Sequence, residues 1–151
     1  MDKNHEYFMQ IAIEQAKEGK TLGDWPFGAV IVQNGIIVGK GYAKDKTTGD
    51  VTEHAEIEAL RAACKKIQSN NLENCTIYCT NEPCLMCAAS IFQAKISHVI
   101  IGASRTDLSH LLRQRNIHID LLAEDSEQEI EIVKGVLRDQ VLELFQDINK
   151  T

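Results

Sequence analysis

The dipeptide Asn34-Gly35 joins two apolar runs and constrains how the first part of the chain can fold. The runs cover residues 29–32 (Ala-Val-Ile-Val) and 36–38 (Ile-Ile-Val). Asn-Gly is the strongest short hairpin signal, because both central residues of the favoured two-residue turn need positive φ. We therefore predict two antiparallel strands here, and the rest of the fold has to accommodate that hairpin.

Helical and extended patterns alternate around this hairpin. Apolar residues at helical spacing predict a first helix over residues 4–18, which Gly19 stops. After the hairpin the patterns predict, in order, helix 54–67, strand 75–80, helix 84–95, strand 98–101, helix 107–115, strand 117–122 and helix 127–148. Five strands with helices on both faces make an α/β protein, a three-layer α/β/α sandwich.

The chain shows no boundary between domains. Its 151 residues, 44% of them hydrophobic, suffice for one core. We see no internal repeat and no linker rich in Pro, Gly or Ser, so we predict a single domain over residues 1–151. The longest polar connection, residues 40–52, leads directly into His54, and such loops often carry binding residues.

Charge and hydropathy narrow the classes of partner and compartment. The net charge of −6 argues against a surface that neutralises many phosphates, so a small uncharged substrate is expected and a nucleic-acid partner is not. No apolar run approaches the roughly 20 residues of a membrane span, and residues 1–10 lack the plan of a signal peptide. We expect a cytoplasmic protein, in which five cysteines favour metal or redox chemistry over disulfides.

Two short motifs each open a predicted helix. One is His54-Ala55-Glu56, and the other is Pro83-Cys84-Leu85-Met86-Cys87. Cys84 and Cys87 share a face of the first helical turn, where the positive end of the helix dipole favours thiolates. With His54 they form three of the four ligands that zinc takes, which leaves one position for a water whose pKa the metal lowers.

Glu56 supplies the proton chemistry that such a water needs. In a hydrolytic deamination, for example, it would accept a proton from the water, pass it to a ring nitrogen and later protonate the departing ammonia. The Ala55 N–H, between His54 and Glu56, can hold a substrate carbonyl. We therefore predict His54, Cys84 and Cys87 as zinc ligands and Glu56 as the catalytic residue.

Other interpretations of these residues are weaker. A thioredoxin-type redox pair at Cys84 and Cys87 would leave the His-x-Glu motif without a role, and a closed structural zinc site would need another cysteine. The remaining cysteines lie in helix or strand patterns and are expected in the core, whereas the remaining histidines lack ligand partners at recognisable spacing and are expected at surface or strand positions. These are Cys64, Cys75 and Cys79, and His5, His98, His110 and His118.

The order and spacing of the motifs resemble the cytidine-deaminase-like superfamily of zinc-dependent nucleobase deaminases. Within it, the chain is similar to bacterial guanine deaminases over about the first two thirds. The similarity is carried by residues 26–30 (Pro-Phe-Gly-Ala-Val), 54–56 and 82–87. The resemblance implies a mixed five-stranded sheet between helices, bound Zn²⁺ and a homodimer.

The resemblance also bears on how a base is bound. Residues 144–148 (Leu-Phe-Gln-Asp-Ile) are similar to the closing helix of fungal cytosine deaminases, which implies that Phe145 caps the pocket and Asp147 hydrogen-bonds the base. Trp25, Pro26 and Phe27 can line a pocket or pack in the core. These families usually place an Asn shortly after the second strand to bind the base, and the matching position here is Ala43.

Three hypotheses for the function follow. The first is hydrolytic deamination of a free nucleobase of the guanine or cytosine type, with release of ammonia. The second is a tRNA-specific adenosine deaminase, which shares both motifs but would normally use a basic face and the Asn that Ala43 replaces. The third is a non-catalytic zinc-binding module, against which the presence of Glu56 argues.

Overall fold

A mixed five-stranded sheet forms the centre of the protein. The computed structural model describes residues 3–149, so Met1, Asp2, Lys150 and Thr151 lie outside the described residues. The strands are β1 (Gly28–Gln33), β2 (Ile36–Tyr42), β3 (Cys75–Asn81), β4 (His98–Ala103) and β5 (Glu131–Val133), in the order β2-β1-β3-β4-β5. β1 is antiparallel to β2 and β3, whereas β3, β4 and β5 are parallel. The predicted fold class is confirmed.

The hairpin forms where the sequence predicts it. Asn34 and Gly35 have φ of 51° and 75°, the positive values that a two-residue turn requires. β1 and β2 pair from Gly28 opposite Tyr42 to Gln33 opposite Ile36, with a register shift at Ile31 and Val32.

Helices cover both faces of the sheet, so the structure has the predicted three layers. α1 (Lys3–Thr21) and α6 (Arg138–Glu143) pack on one face. α3 (Ala55–Ile67), α4 (Leu85–Gln93) and α5 (Ile119–Asp125) pack on the other, and the short α2 (Asp45–Thr48) follows β2. None of the helices in the described part of the chain combines the length and apolarity needed to cross a bilayer.

Close packing of α3 against β2 places the start of that helix beside the end of the sheet. A Cβ added at Gly41 would overlap Ala55 O and lie 2.7 Å from Ala59 N, so only glycine lets the helix backbone come this near. The start of α3 therefore lies next to the end of β2, on the same face of the sheet as the start of α4.

The last third of the chain departs from the predicted elements in both their type and their boundaries. The helix predicted over 107–115 is only a 3₁₀ turn at Thr106–Leu108. The strand predicted over 117–122 is wrong, because that region begins α5, and the long helix predicted over 127–148 is wrong, because it divides into β5 and α6.

Burial explains these corrections. Ile119, Leu122 and Ala123, at helical spacing, face the core, whereas Leu121 is 52% exposed. In the next segment Ile130 and Ile132 pack against the core and alternate with glutamates, which is the period of a strand.

Positive φ at two residues then separates β5 from α6. Gly135 has φ of 84° and Leu137 has φ of 54°, so the backbone leaves the helical region before α6 begins. The apolar residues of the segment predicted as one long helix thus serve two different elements.

Candidate metal centre and active site

His54 and Cys84 occupy equivalent places at the starts of two helices. His54 immediately precedes α3 and Cys84 immediately precedes α4, both with extended backbone (φ −77°, ψ 158° and φ −71°, ψ 176°). Neither side chain caps its own helix. Both are therefore free to turn toward a shared point between the two helix starts.

At that point three donor atoms lie close together. His54 Nδ1 is 3.6 Å from Cys84 Sγ and 3.5 Å from Cys87 Sγ, and the three ligand atoms lie within 4.8 Å of one another. Tetrahedral zinc, with bonds of about 2.1 Å to nitrogen and 2.3 Å to sulfur, holds such atoms about 3.6 Å apart. The three side chains fit a zinc ion and leave its fourth position open.

Hydrogen bonds within the donor set prepare one thiolate. The pKa of Cys84 is lowered to about 3, mainly because its sulfur accepts a hydrogen bond from the Cys87 thiol. A hydrogen bond with His54 acts in the same direction. The bond to Cys84 also raises the pKa of Cys87, its donor. A deprotonated cysteine is the form that binds metal.

Glu56 lies in the first turn of α3 beside these donors. It is 8% exposed, and burial raises the pKa of its carboxyl to about 7, with the negative charge of Cys84 acting in the same direction. A carboxyl with this pKa exchanges a proton readily near neutral pH, which suits a general acid and base.

A cavity of about 280 Å³ opens over the donor set. Trp25 and Phe27 line it with rings that stack 6.2 Å apart at an interplanar angle of 19°. Its other lining residues are Ala43, Asp45, His54, Ala55, Glu56, Asn81, Glu82, Cys84, Ser104, Arg105, Leu112 and Arg115. An aromatic wall thus faces the side chains that carry the chemistry.

The structure places only some of the predicted substrate residues in this cavity. Phe27, Ala55 and Ala43 line it, whereas Phe145 is 1% exposed and packs behind the Phe27 ring at 5.6 Å. Asp147 is not brought to the cavity: its exposed carboxylate accepts a hydrogen bond from Lys20 Nζ at 2.6 Å. The contact of Asp147 with a base stays a prediction.

Sequence reasoning missed several lining residues. Asn81 follows Ile77 and Cys79 on one face of β3, so strand alternation could have pointed to it. Arg105 and Arg115 belong to an irregular segment after β4 that carries no spacing signal. His118, predicted as an ordinary surface or strand position, instead pairs with the buried Glu82 at 2.7 Å.

The other cysteines are placed as predicted. Cys75 and Cys79 are buried in the core, Cys64 is partly buried against it, and all are free thiols. His98 lies at the start of β4 and pairs with Glu131 at 3.4 Å, away from the cavity.

Comparison with known proteins relates this site to two groups of deaminases. Residues 2–103 match the family model of the cytidine and deoxycytidylate deaminase zinc-binding region. A guanine deaminase from Bacillus subtilis (strain 168) is 42% identical over 105 residues, which are 69% of this chain and 67% of that protein. A tRNA-specific adenosine deaminase from Buchnera aphidicola (subsp. Baizongia pistaciae) is 39% identical over 116 residues, 77% of this chain and 72% of that protein.

A solved structure shows the same similarity at the level of the fold. This structure, from work on A-to-I editing by tRNA:A34 deaminases at the wobble position of transfer RNA, has a TM-score of 0.78 at 26% identity, and the match covers 91% of this chain and 98% of that one. Proteins named for different substrates are thus similar to this chain in sequence and in fold.

Proposed function

Because the chain belongs to the cytidine and deoxycytidylate deaminase zinc-binding family, we propose that it deaminates a free nucleobase of the guanine or cytosine type. Members of this family are zinc-dependent hydrolytic deaminases, so the chain is an enzyme rather than a non-catalytic zinc module. The observation that carries the choice of a free base is the small, aromatic-walled cavity directly over the donor set.

The chain's own residues can perform the proton transfers of hydrolysis. His54, Cys84 and Cys87 would hold zinc, which would supply Lewis acidity and so lower the pKa of a water molecule toward neutrality. Glu56 accepts a proton from the water and passes it to a ring nitrogen of the base. The ring carbon gains the oxygen, and Glu56 then takes the second proton from that oxygen and delivers it to the exocyclic nitrogen. The bond between the ring carbon and this nitrogen breaks, so that ammonia leaves and a carbonyl remains.

The cavity suits a single planar base. Its volume of about 280 Å³ lies just below the roughly 300–1,000 Å³ of pockets for drug-sized ligands. Trp25 and Phe27 offer aromatic surface on which a ring can stack. Ala55 is the first residue of α3, so its N–H has no acceptor within the helix and can donate to a carbonyl of the base.

Ammonia release from zinc-loaded protein tests the proposal. The substrates are guanine, cytosine and adenine, the corresponding nucleosides, and a tRNA anticodon stem-loop. We expect activity on guanine or cytosine. Activity on the stem-loop alone would contradict the choice of a free base, and no activity on any substrate would contradict the whole proposal.

A second candidate is deamination of adenosine in tRNA. Arg105 and Arg115 both line the cavity, and guanidinium groups are well suited to bind phosphate. The net charge of −6 over the whole chain does not favour binding of a polyanion such as tRNA. These two arginines are the reason to include the stem-loop among the substrates.

We also propose that the enzyme is a homodimer. A groove between α3 and α4 is lined by apolar side chains that include Ile57, Leu60 and Ala89, and these two helices also carry the site. Apolar grooves of this kind are often covered by a partner. Light scattering coupled to size-exclusion chromatography measures the mass directly, and a monomer at micromolar concentration would contradict the proposal.

A further inference from the structure

Asn81 has a feature that the proposed mechanism does not use. It is the last residue of β3, is 8% exposed and lines the cavity. Over residues 3–149, its Nδ2 is the buried side-chain nitrogen or oxygen atom that lacks a hydrogen-bond partner. Buried polar groups are nearly always paired, so an unpaired donor at a cavity wall calls for an explanation.

Neighbouring groups fix which end of the amide is free. The Gly28 N–H donates to Thr80 Oγ1 at 3.0 Å, and the Thr80 hydroxyl donates to Asn81 Oδ1 at 2.8 Å. Thr80 is fully buried and Gly28 belongs to β1, so the carbonyl end of the Asn81 amide is tied to the sheet. The NH₂ end therefore remains as the donor without a partner.

The cavity carries no amide at the position where the family resemblance implies an asparagine that binds the base. That position is Ala43, which is 2% exposed and lines the same cavity, and its methyl group cannot donate a hydrogen bond. Asn81 reaches the cavity from β3, whereas Ala43 follows β2. The same kind of donor is thus present in the cavity but comes from another strand.

We propose that Asn81 Nδ2 donates a hydrogen bond to the carbonyl oxygen of the bound base and thereby supplies the recognition that Ala43 cannot. The inference rests on the proposed function, because it assumes that an aminated base occupies the cavity. It names Asn81 as a specificity-determining residue for bases that carry a ring carbonyl.

Two pairs of bases test this role. Guanine and 2-aminopurine differ in the 6-oxo group, and cytosine and 4-aminopyrimidine differ in the 2-oxo group. Asn81→Leu keeps the approximate volume and removes the amide, and Asn81→Ala serves if the leucine variant does not fold. We expect kcat/KM for the carbonyl-bearing base to fall roughly tenfold or more, as loss of one buried hydrogen bond implies. The rate with its carbonyl-free partner should change little, so the preference for the carbonyl shrinks.

Controls separate recognition from folding and metal binding. Both variants should bind one equivalent of zinc and show a cooperative thermal transition. Asn74→Leu changes an exposed asparagine outside both the cavity and the groove between α3 and α4, and it should match wild type in all assays. An unchanged carbonyl preference in folded, zinc-loaded Asn81 variants would overturn the inference.

Failure of the inference can be distinguished from failure of the proposed function. If wild type turns over no base, the proposed function is wrong, and the Kd values of guanine and cytosine then decide the role of Asn81. Weaker binding by the Asn81 variants would still support it. Equal binding, or no binding of either base to wild type, would overturn it.

Discussion

His118 Nδ1 donates a hydrogen bond to Glu82 Oε2 at 2.7 Å and so joins two segments 36 residues apart. The Glu82 side chain is 6% exposed, and its other oxygen, Oε1, accepts a hydrogen bond from the backbone N–H of Arg105 at 3.2 Å. Glu82, one residue after β3, thereby holds both ends of residues 105–118. This segment brings Arg105 and Arg115 to the cavity.

Loss of the His118 contact should loosen that segment. In His118→Ala the Glu82 carboxylate stays buried with one partner fewer, which costs about 1–3 kcal/mol of the free energy of unfolding. Urea denaturation measures this loss, and the zinc content should not change. His110→Ala removes an exposed histidine of the same segment and should change stability by less than about 0.5 kcal/mol. Equal effects of the two substitutions would argue against a specific role of the pair.

Glu56→Gln should separate metal binding from turnover. Glutamine keeps the shape of the side chain but cannot accept and return a proton, so we expect turnover to fall by roughly 10²–10⁴-fold. Zinc per chain should equal that of wild type, because no donor of the set is removed. Glu58→Gln, on the same helix but paired with Arg61 at 2.8 Å, is the matched control. Deamination at the normal rate by Glu56→Gln would refute the proposed proton transfer.

Arg115→Gln should distinguish a free base from tRNA as the substrate. Arg115 is exposed at the cavity, so with a free base we expect kcat/KM to change by no more than about twofold. If the stem-loop is the substrate and Arg115 binds a phosphate, the substitution should lower the affinity for the stem-loop. The slope of log K against log salt concentration should then become shallower by about one unit, the contribution of one phosphate contact. Arg113→Gln, an exposed arginine of the same segment outside the cavity lining, controls for net charge.

Local signals explain why much of the site could be predicted from the sequence. The Asn34-Gly35 turn depends on the φ values of its own two residues, and His54, Cys84 and Cys87 lie at or near helix starts that the sequence marks. Such features need few distant contacts. The hairpin, the donor set and the elements of the first two thirds therefore follow from short stretches of chain.

Contacts between distant segments explain what could not be predicted. Residues 117–122 contain apolar residues that suit either a strand or a helix, and packing against the sheet selects the helix of α5. The unpaired Nδ2 of Asn81 becomes visible only when Thr80 is seen to bind Oδ1. Likewise, nothing near His118 in sequence indicates its partner, because Glu82 lies 36 residues away.

Asp107 and Arg138 form a bidentate pair that ties the start of α6 to the segment after β4. Arg138 Nη2 donates to Asp107 Oδ1 at 2.6 Å, and Arg138 Nε donates to Oδ2 at 3.0 Å. These hydrogen bonds are the main reason that the pKa of Asp107 falls from its ordinary value of 3.8 to about 2. The pair also connects α6 with the segment that reaches the cavity.

The pair should therefore make stability depend on pH in the acid range. A carboxyl whose pKa is lower in the folded state stabilises the fold above its unfolded pKa, and that contribution is lost as the pH falls through the folded value. We expect the difference in unfolding free energy between wild type and Asp107→Asn to be constant above about pH 5 and to shrink between about pH 4 and pH 2. Urea titrations across this range measure the difference.

The matched control for Asp107 is its neighbour on the same arginine. Asp139 is 92% exposed and lies 3.8 Å from Arg138 Nη1, so solvent screens its charge and Asp139→Asn should show no comparable dependence on pH. If the difference in unfolding free energy between wild type and Asp107→Asn stays constant down to pH 2, the pair with Arg138 does not lower the pKa of Asp107. A dependence shared by both variants would assign the effect to net charge, because both substitutions remove one negative charge while only one breaks the bidentate contact.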